Sequence, residues 1–431
     1  MFYLPDRELP LIDLTLLVKA GAVDLAEDQI GLPALIDGSL IRGGTETYSP
    51  SEMAMVLDEK AIRLSVSVGE EVTRVGLSVT KADWKKGLEH LEEILTRPRF
   101  DASVLEAVKQ QTLTHLNRQA DNAQTVAMRE GALWFFRGHP YGRDPLQGLQ
   151  TIPNITREDL MDFLRRYFVR ANIVAAVAGD IEKEVAEKSL GALFRALPDS
   201  KAPERRMEDP RETPPVVTLI HKPGQVQSQI GFRLPSVKRT DPDYWNISLL
   251  MDIFGGGDSL LFKRLRDDLG FVYSAWFYQT YKWQAGTLVG YMGCQGTGTR
   301  QAVEETVRIM TSLHGNVPEG KLEQKRLDSL NSFVFNVDSP TELVDVYARY
   351  HIRKEPLDTL TRIQDAFISA SKEELEALAR KFLDPKKLQV FVVADKTMRI
   401  KTEGGEEYTL EDDVERLAKI LGLPFRGTEL R

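Results

Sequence analysis

The chain has one cysteine, Cys294, and six histidines among 431 residues. A single thiol excludes an intramolecular disulfide framework and any Cys-based metal cluster. The histidines are His90, His115, His139, His221, His314 and His351, and no two lie within five residues of each other. That spacing excludes intact H-E-x-x-H and H-x-x-E-H motifs. Surplus positive charge is missing too: 56 Lys and Arg stand against 64 Asp and Glu, a formal charge of −8. This argues against nucleic acid and anionic membrane surfaces as partners. The longest apolar stretches, such as 173–178 and 390–394, are far too short to cross a bilayer. G-x-S-x-G, Walker A and dinucleotide fingerprints are all absent. The opening Met1-Phe2-Tyr3-Leu4-Pro5 lacks the basic and apolar regions of a signal peptide. A nearly thiol-free chain suits a bacterial periplasm and a cytoplasm equally, so the compartment stays open.

What is present is ordinary globular composition, with 42% apolar and 28% charged residues. The length allows two or three domains or one large one. Residues 197–215 change character: five of the 21 prolines fall in these 19 positions. Proline lacks an N–H donor and fixes φ, so the segment reads as an extended linker. The text on either side repeats. Thr156-Arg157-Glu158-Asp159-Leu160 aligns with Ser371-Lys372-Glu373-Glu374-Leu375 at an offset of 215 residues. At the same offset Tyr167-Phe168 meets Phe382-Leu383, and the apolar run from Ile173 meets the run from Leu388. Leu88, Ile94 and Leu95 likewise meet Val303, Ile309 and Met310. A period near half the chain implies two homologous domains, 1–198 and 216–431, joined by a linker over 199–215.

Each half shows the same coarse pattern. Leu14–Val18 reads as a strand. Ile62, Leu64, Val66 and Val68 alternate with polar residues, turn at Gly69-Glu70-Glu71 and continue through Val75, Leu77 and Val79. That is a hairpin, and 272–281 with 287–292 repeats it. Helices are expected over 81–96, where Trp84, Leu88, Leu91 and Leu95 share a face, and over 102–119. Thr156 and Ser371 read as N-caps, each with an acidic residue three positions on. The fold class is therefore α+β, with mainly antiparallel sheets flanked by helices.

Three local features invite chemistry. Gly255-Gly256-Gly257-Asp258 lacks a following Lys-Ser or Lys-Thr, so it reads as a flexible turn, or a substrate-binding loop, rather than a phosphate cradle. His90, on a helix with Leu88, Leu91 and Leu95, reads as a solvated residue, and His139-Pro140-Tyr141-Gly142 reads as a turn. Arg266 and Tyr273 are the most suggestive pair. A short helix ending near Gly270 leads at once into a strand, so a guanidinium and a phenol could meet and donate to a developing oxyanion. The alternative is an arginine near a helix C-terminus, favoured by the dipole, beside an unrelated strand aromatic.

The chain resembles the M16 family of zinc metallopeptidases, which includes mitochondrial processing peptidase, respiratory-complex core proteins and paired bacterial subunits. The residues that carry the resemblance are Glu8-Leu9-Pro10-Leu11, Val18-Lys19-Ala20-Gly21, Gly31-Leu32-Pro33 and Gly43-Gly44-Thr45. Further on they are His139-Pro140-Tyr141-Gly142, the segment from Ile155 to Leu160, and Leu265-Arg266 with Gly270-Phe271-Val272-Tyr273-Ser274. The resemblance implies two tandem domains of the LuxS/processing-peptidase type, and a strand ahead of Glu8 of which residues 1–4 are only the tail. Active members place H-x-x-E-H just after a Gly-Leu pair. Here Ala34 and Gly38 stand at the two histidine positions and Asp37 at the glutamate, and the third ligand would fall near Thr114. The resemblance therefore implies no metal in this chain. Zinc is expected on a partner M16 subunit with an intact H-x-x-E-H, with Arg266 and Tyr273 supplied in trans to its peptide substrates. The chain is not expected to be active alone. The alternative is a structural or assembly subunit of the core-protein kind; a hydrolase with some other centre finds no nucleophile to support it.

Overall fold

The computed structural model describes residues 1–333, 335, 337–401 and 405–430. Among them the strands form a five-stranded sheet, a six-stranded sheet and a two-stranded ribbon. The chain divides into two compact units.

The first unit comprises residues 1–117, 145–206 and 333–359. Its strands are β1 (Phe2–Pro5), β2 (Leu11–Val18), β3 (Arg63–Val68), β4 (Thr73–Thr80) and β5 (Ile173–Gly179), in the order β1-β5-β2-β4-β3. β1 runs parallel to β5 and the other pairs are antiparallel. β4 alternates buried and half-buried residues along its whole length, as a strand facing a core on one side should. Val75, Leu77 and Val79 meet Leu88, Leu91 and Leu95 of the Trp84–Thr96 helix in the main core. β2 is buried from Leu14 through Val18, because its other face is covered as well. There Leu17, Ala176 and Ala178 pack under Val344, Ala348 and Ile352 of the Pro340–Arg353 helix. Asp345 of that helix, 5% exposed, holds Arg74 of β4 at 2.5 Å.

The second unit comprises residues 118–144, 207–332 and 360–431. β6 (Val216–His221), β7 (Gln227–Ser236), β8 (Val272–Tyr281), β9 (Gly286–Gln295) and β10 (Gln389–Ala394) take the order β6-β10-β7-β9-β8. This is the strand order of the first sheet, including its one parallel pair. β13 (Phe425–Glu429) adds outside β6, and β11 (Arg399–Lys401) with β12 (Glu407–Thr409) makes the ribbon. The Tyr244–Gly255 helix seals one face against β8 through Phe254 and Phe277. The opposite face receives the Ala123–Phe135 helix, whose Ala123, Val126 and Ala127 pack on Val216, Ile220, Phe391 and Val393. A Cβ at Gly231 would stand 2.8 Å from the Ala127 carbonyl, so glycine there permits the close approach.

The repeat is thus visible as topology. The Arg157–Tyr167 and Lys372–Phe382 helices each begin in a capping box, at Thr156 with Asp159 and at Ser371 with Glu374. The compact units nonetheless differ from the contiguous halves 1–198 and 216–431. The Ala123–Phe135 helix belongs with the second sheet, and its counterpart, the Pro340–Arg353 helix, belongs with the first. Periodicity marks a helix and its apolar face but does not say which sheet that face covers. The segment 201–215 has no helix or strand; its first part, through Arg206, goes with the first unit and the rest with the second.

His90 is a correction. It is 1% exposed, edge-on to Tyr48 at 5.4 Å, with its pKa held down by burial. Leu91 and Ile94 flank it on a helix buried over a wider arc than the apolar letters mark. Among the described residues, no helix is long and apolar enough to cross a membrane.

Candidate functional site

In the first unit, the Leu32–Ser39 helix starts at Gly31, whose φ of +100° suits glycine. Proline follows in the first turn, where its missing N–H costs nothing. Leu35 and Ile36 are fully buried, while Ala34 and Asp37 face outward. Gly38 lies against the Ala102–Asp121 helix: a Cβ there would meet Val108 Cγ1 at 2.5 Å. A side chain long enough to bind metal therefore has no room at Gly38 unless Val108, itself buried, moves. Ala34 has no donor atom, and the Thr114 hydroxyl donates to the Gln110 carbonyl at 2.8 Å. Among the described residues, no cluster of three His, Cys, Asp or Glu could hold a metal ion. The residues present do not fit the zinc that the family's motif would hold here.

Asp37 has acquired another contact. Its Oδ1 accepts the Val68 N–H at 2.7 Å, at the end of edge strand β3. Asp37 is exposed as a residue, but the protein on the carboxyl's inner side desolvates it and raises its pKa to about 6, against the pull of that hydrogen bond. A carboxyl raised in the folded state stabilises below its unfolded pKa of about 4, and that contribution is lost as pH rises through about 6. Asp37→Asn is therefore expected to flatten the decline in stability between those two values. Urea midpoints measured across that range check this; wild type and variant falling in parallel would rule out Asp37 as the cause.

In the second unit, Arg266 and Tyr273 are brought to one place by two single-residue insertions. The segment opens at Ser259, whose hydroxyl accepts the Phe262 N–H at 3.1 Å, and winds as a short α-helix over Leu260–Phe262. Over Lys263–Asp268 it widens into a π-helix, a form that appears where an α-helix takes in an extra residue. Three consecutive residues then point three ways. Arg264 Nε donates to Glu305 at 2.5 Å, Leu265 is fully buried, and Arg266 is exposed. Arg308 and Arg264 together pull the Glu305 carboxyl down to about 2, so this anchor stays charged. Gly270, at φ +65°, turns the chain into β8. There the register against β9 slips between Val272 and Ser274. The slip is a β-bulge, which leaves an extra residue unpaired and re-aims it. That residue is Tyr273, 54% exposed. The Arg266 guanidinium lies over the Phe262 ring at 5.6 Å and donates through Nη1 to the Tyr273 carbonyl. Both residues are thus exposed at one corner of the second unit.

The glycine run divides into separate roles. Gly255 is a packing residue, since a Cβ would stand 2.4 Å from Phe277 Cβ; Gly256 closes the helix over Asp252; Gly257 has open space. His139 fits the expected turn: its Nδ1 accepts the Tyr141 N–H at 3.1 Å and its Nε2 lies 2.9 Å from the Glu208 carbonyl. Sequence reasoning missed the Asp37–Val68 bond and the paired insertions. Neither has a local signature, because a π-turn and a bulge both read as ordinary helix and strand.

The family profile described as "Insulinase (Peptidase family M16)" matches residues 10–146, and "Peptidase M16 inactive domain" matches 154–327. The chain is 23% identical over 337 residues to "Non-peptidase homolog YmxG" of Helicobacter pylori, covering 78% of this chain and 76% of that protein. It is 20% identical over 403 residues to "Zinc protease PqqE" of the same bacterium, covering 90% and 88%. The solved structure of a peptidase M16 inactive domain from Pseudomonas fluorescens superposes with a TM-score of 0.82 at 21% identity, over 91% of this chain and 94% of that one. At that identity the superposition speaks for the fold, and the profiles carry the family: the chain belongs to peptidase family M16, as one of its non-catalytic type.

Proposed function

We propose that the chain is the catalytically deficient subunit of a two-chain M16 metalloendopeptidase. It lends Arg266 and Tyr273 in trans to the cleavage of peptides on a zinc-bearing M16 partner. The observation that carries this is the corner itself, where a π-turn and a bulge leave Arg266 and Tyr273 exposed, with the guanidinium bonded to the Tyr273 carbonyl. Arginine offers five N–H donors, and the Tyr273 carbonyl engages only Nη1. The remaining donors and the phenol O–H can serve a scissile carbonyl oxygen as negative charge builds on it. The metal chemistry belongs to the partner; at 34–38 this chain is expected to hold no zinc.

The test mixes the purified chain with an M16 subunit carrying an intact H-x-x-E-H and follows cleavage of a quenched fluorescent peptide. The mixture should cleave while neither chain does so alone. A zinc-bearing subunit that is equally fast without this chain would sink the proposal. A second reading, a structural or assembly subunit, draws on one observation: Arg266 already has an acceptor within its own chain.

A further inference from the structure

The second unit carries a cavity of about 440 Å³ where the proline-rich segment crosses one end of its sheet. The lining comes from residues 209–215, the end of β7, the turn from β8 into β9, and the last turn of the Lys372–Phe382 helix. All of these belong to that unit. The cavity is preformed because the crossing segment is pinned at both ends. Asp209 holds Lys238 at 2.7 Å. Gln389, 2% exposed at the start of β10, donates through Nε2 to Thr213 Oγ1 at 3.0 Å and to the Pro214 carbonyl at 3.3 Å. Trp134 Nε1 donates to the same carbonyl at 2.9 Å.

Sites for small molecules are mostly apolar clefts of roughly 300–1,000 Å³ with a few polar groups that fix orientation. This cavity has both parts. Phe135, Phe382, Pro215 and Pro235 supply apolar wall. Among the polar residues of the lining, Gln389 has a buried Oε1 that accepts no hydrogen bond among the described residues. A donor that reaches it removes that deficit. Ser236 Oγ accepts from Gln279 Nε2 at 3.0 Å and keeps its own proton to donate. The charged residues of the lining are Arg211, Lys238, Lys381 and Lys387 against Asp209 and Glu212, and Asp243 holds Lys381 at 3.3 Å. One positive charge is left over. It is best assigned to Lys387, which is exposed and has no ion pair among the described residues.

We infer that this cavity binds a small aromatic monocarboxylic acid that also carries an N–H or O–H donor. The ring lies against the apolar walls, the carboxylate takes the Lys387 ammonium, and the donor turns inward to Gln389 Oε1. A single surplus charge matches one carboxylate and does not match a polyphosphate. The site shares no residue with the Arg266–Tyr273 corner, which lies toward the other end of β8. It therefore stands apart from the proposed function, and its test needs no partner subunit.

The full chain is titrated with indole-3-acetate by calorimetry and by saturation-transfer NMR, and hydrogen exchange is followed over 209–213. Binding should be saturable and should slow exchange in that segment. Lys387→Glu should weaken it by about tenfold or more, the worth of one charge-assisted hydrogen bond. Lys386→Glu, next in sequence but outside the lining, should leave it unchanged. On the wild-type chain, 1-methylindole-3-acetate lacks the ring donor and should bind several-fold more weakly. Absence of binding in both measurements would overturn the inference, as would equal losses from the two lysine variants or equal affinity for the methylated acid. Tighter binding of tripolyphosphate, or equal binding of tryptamine, which carries an ammonium in place of the carboxylate, would overturn it too.

Discussion

Arg266→Ala is expected to lower kcat of the proposed two-chain enzyme by ~10²–10³, the usual loss for one preorganised donor to a developing oxyanion. Tyr273→Phe should act in the same direction while leaving the backbone untouched. The comparison matters because Arg266 also bonds the Tyr273 carbonyl, so its removal loosens the bulge as well as deleting a donor. The phenylalanine variant keeps that latch. Because both groups serve one oxygen, the double variant should lose less than the product of the single losses. Arg266→Lys keeps the charge but gives up the planar fork, so only a small part of the rate should return. Rates are to be read beside gel-filtration profiles of the heterodimer. Full activity of both single variants in an intact complex would leave this chain as a scaffold.

Asp24→Ala is expected to cost the first unit about 3–5 kcal/mol, because it strands a buried charge. Arg205 reaches out of the proline-rich segment and grips Asp24 with two parallel bonds, Nε to Oδ1 at 2.8 Å and Nη2 to Oδ2 at 2.5 Å. It also donates to the Glu71 carbonyl at 2.6 Å. Both side chains are 8% exposed. A pair so shielded is costly to break from one side and much less costly to replace from both. Asp24→Leu with Arg205→Met should therefore recover most of the loss, and the deviation from additivity measures the coupling. Denaturant midpoints test the magnitude, and limited proteolysis should show 199–211 cut faster in the single variant. Single variants within a few tenths of a kcal/mol of wild type would mean that the clip contributes little.

The parts of this structure that were legible in the sequence are those with local physical causes. Thr156 and Ser371 announce helix starts because a hydroxyl and an acid three residues on satisfy free N–H groups. The hairpin of β3 and β4 follows from its alternation, and the repeat from a constant offset. The candidate corner was legible in content only. Arg266 and Tyr273 could be singled out by type, but the geometry that exposes them rests on two extra residues that leave no mark on periodicity. His90 went wrong because a polar letter was read as a solvated one. The exchanged helices were out of reach for another reason: Val344, Ala348 and Ile352 state that a face is apolar and say nothing about its destination.

That exchange has a consequence for how the chain is made. The ribosome completes β5 at Gly179, yet the helix that covers its outer face ends at Arg353. Until then Leu17, Ala176 and Ala178 have no lid, and the nascent first sheet shows a bare apolar surface through much of translation. Contacts this distant in sequence form late, and uncovered sheet surface in a growing chain is where association with the wrong neighbour begins. The first half to be made is thus the last to be finished, and the interval before residue 353 emerges is when the nascent chain most needs a chaperone.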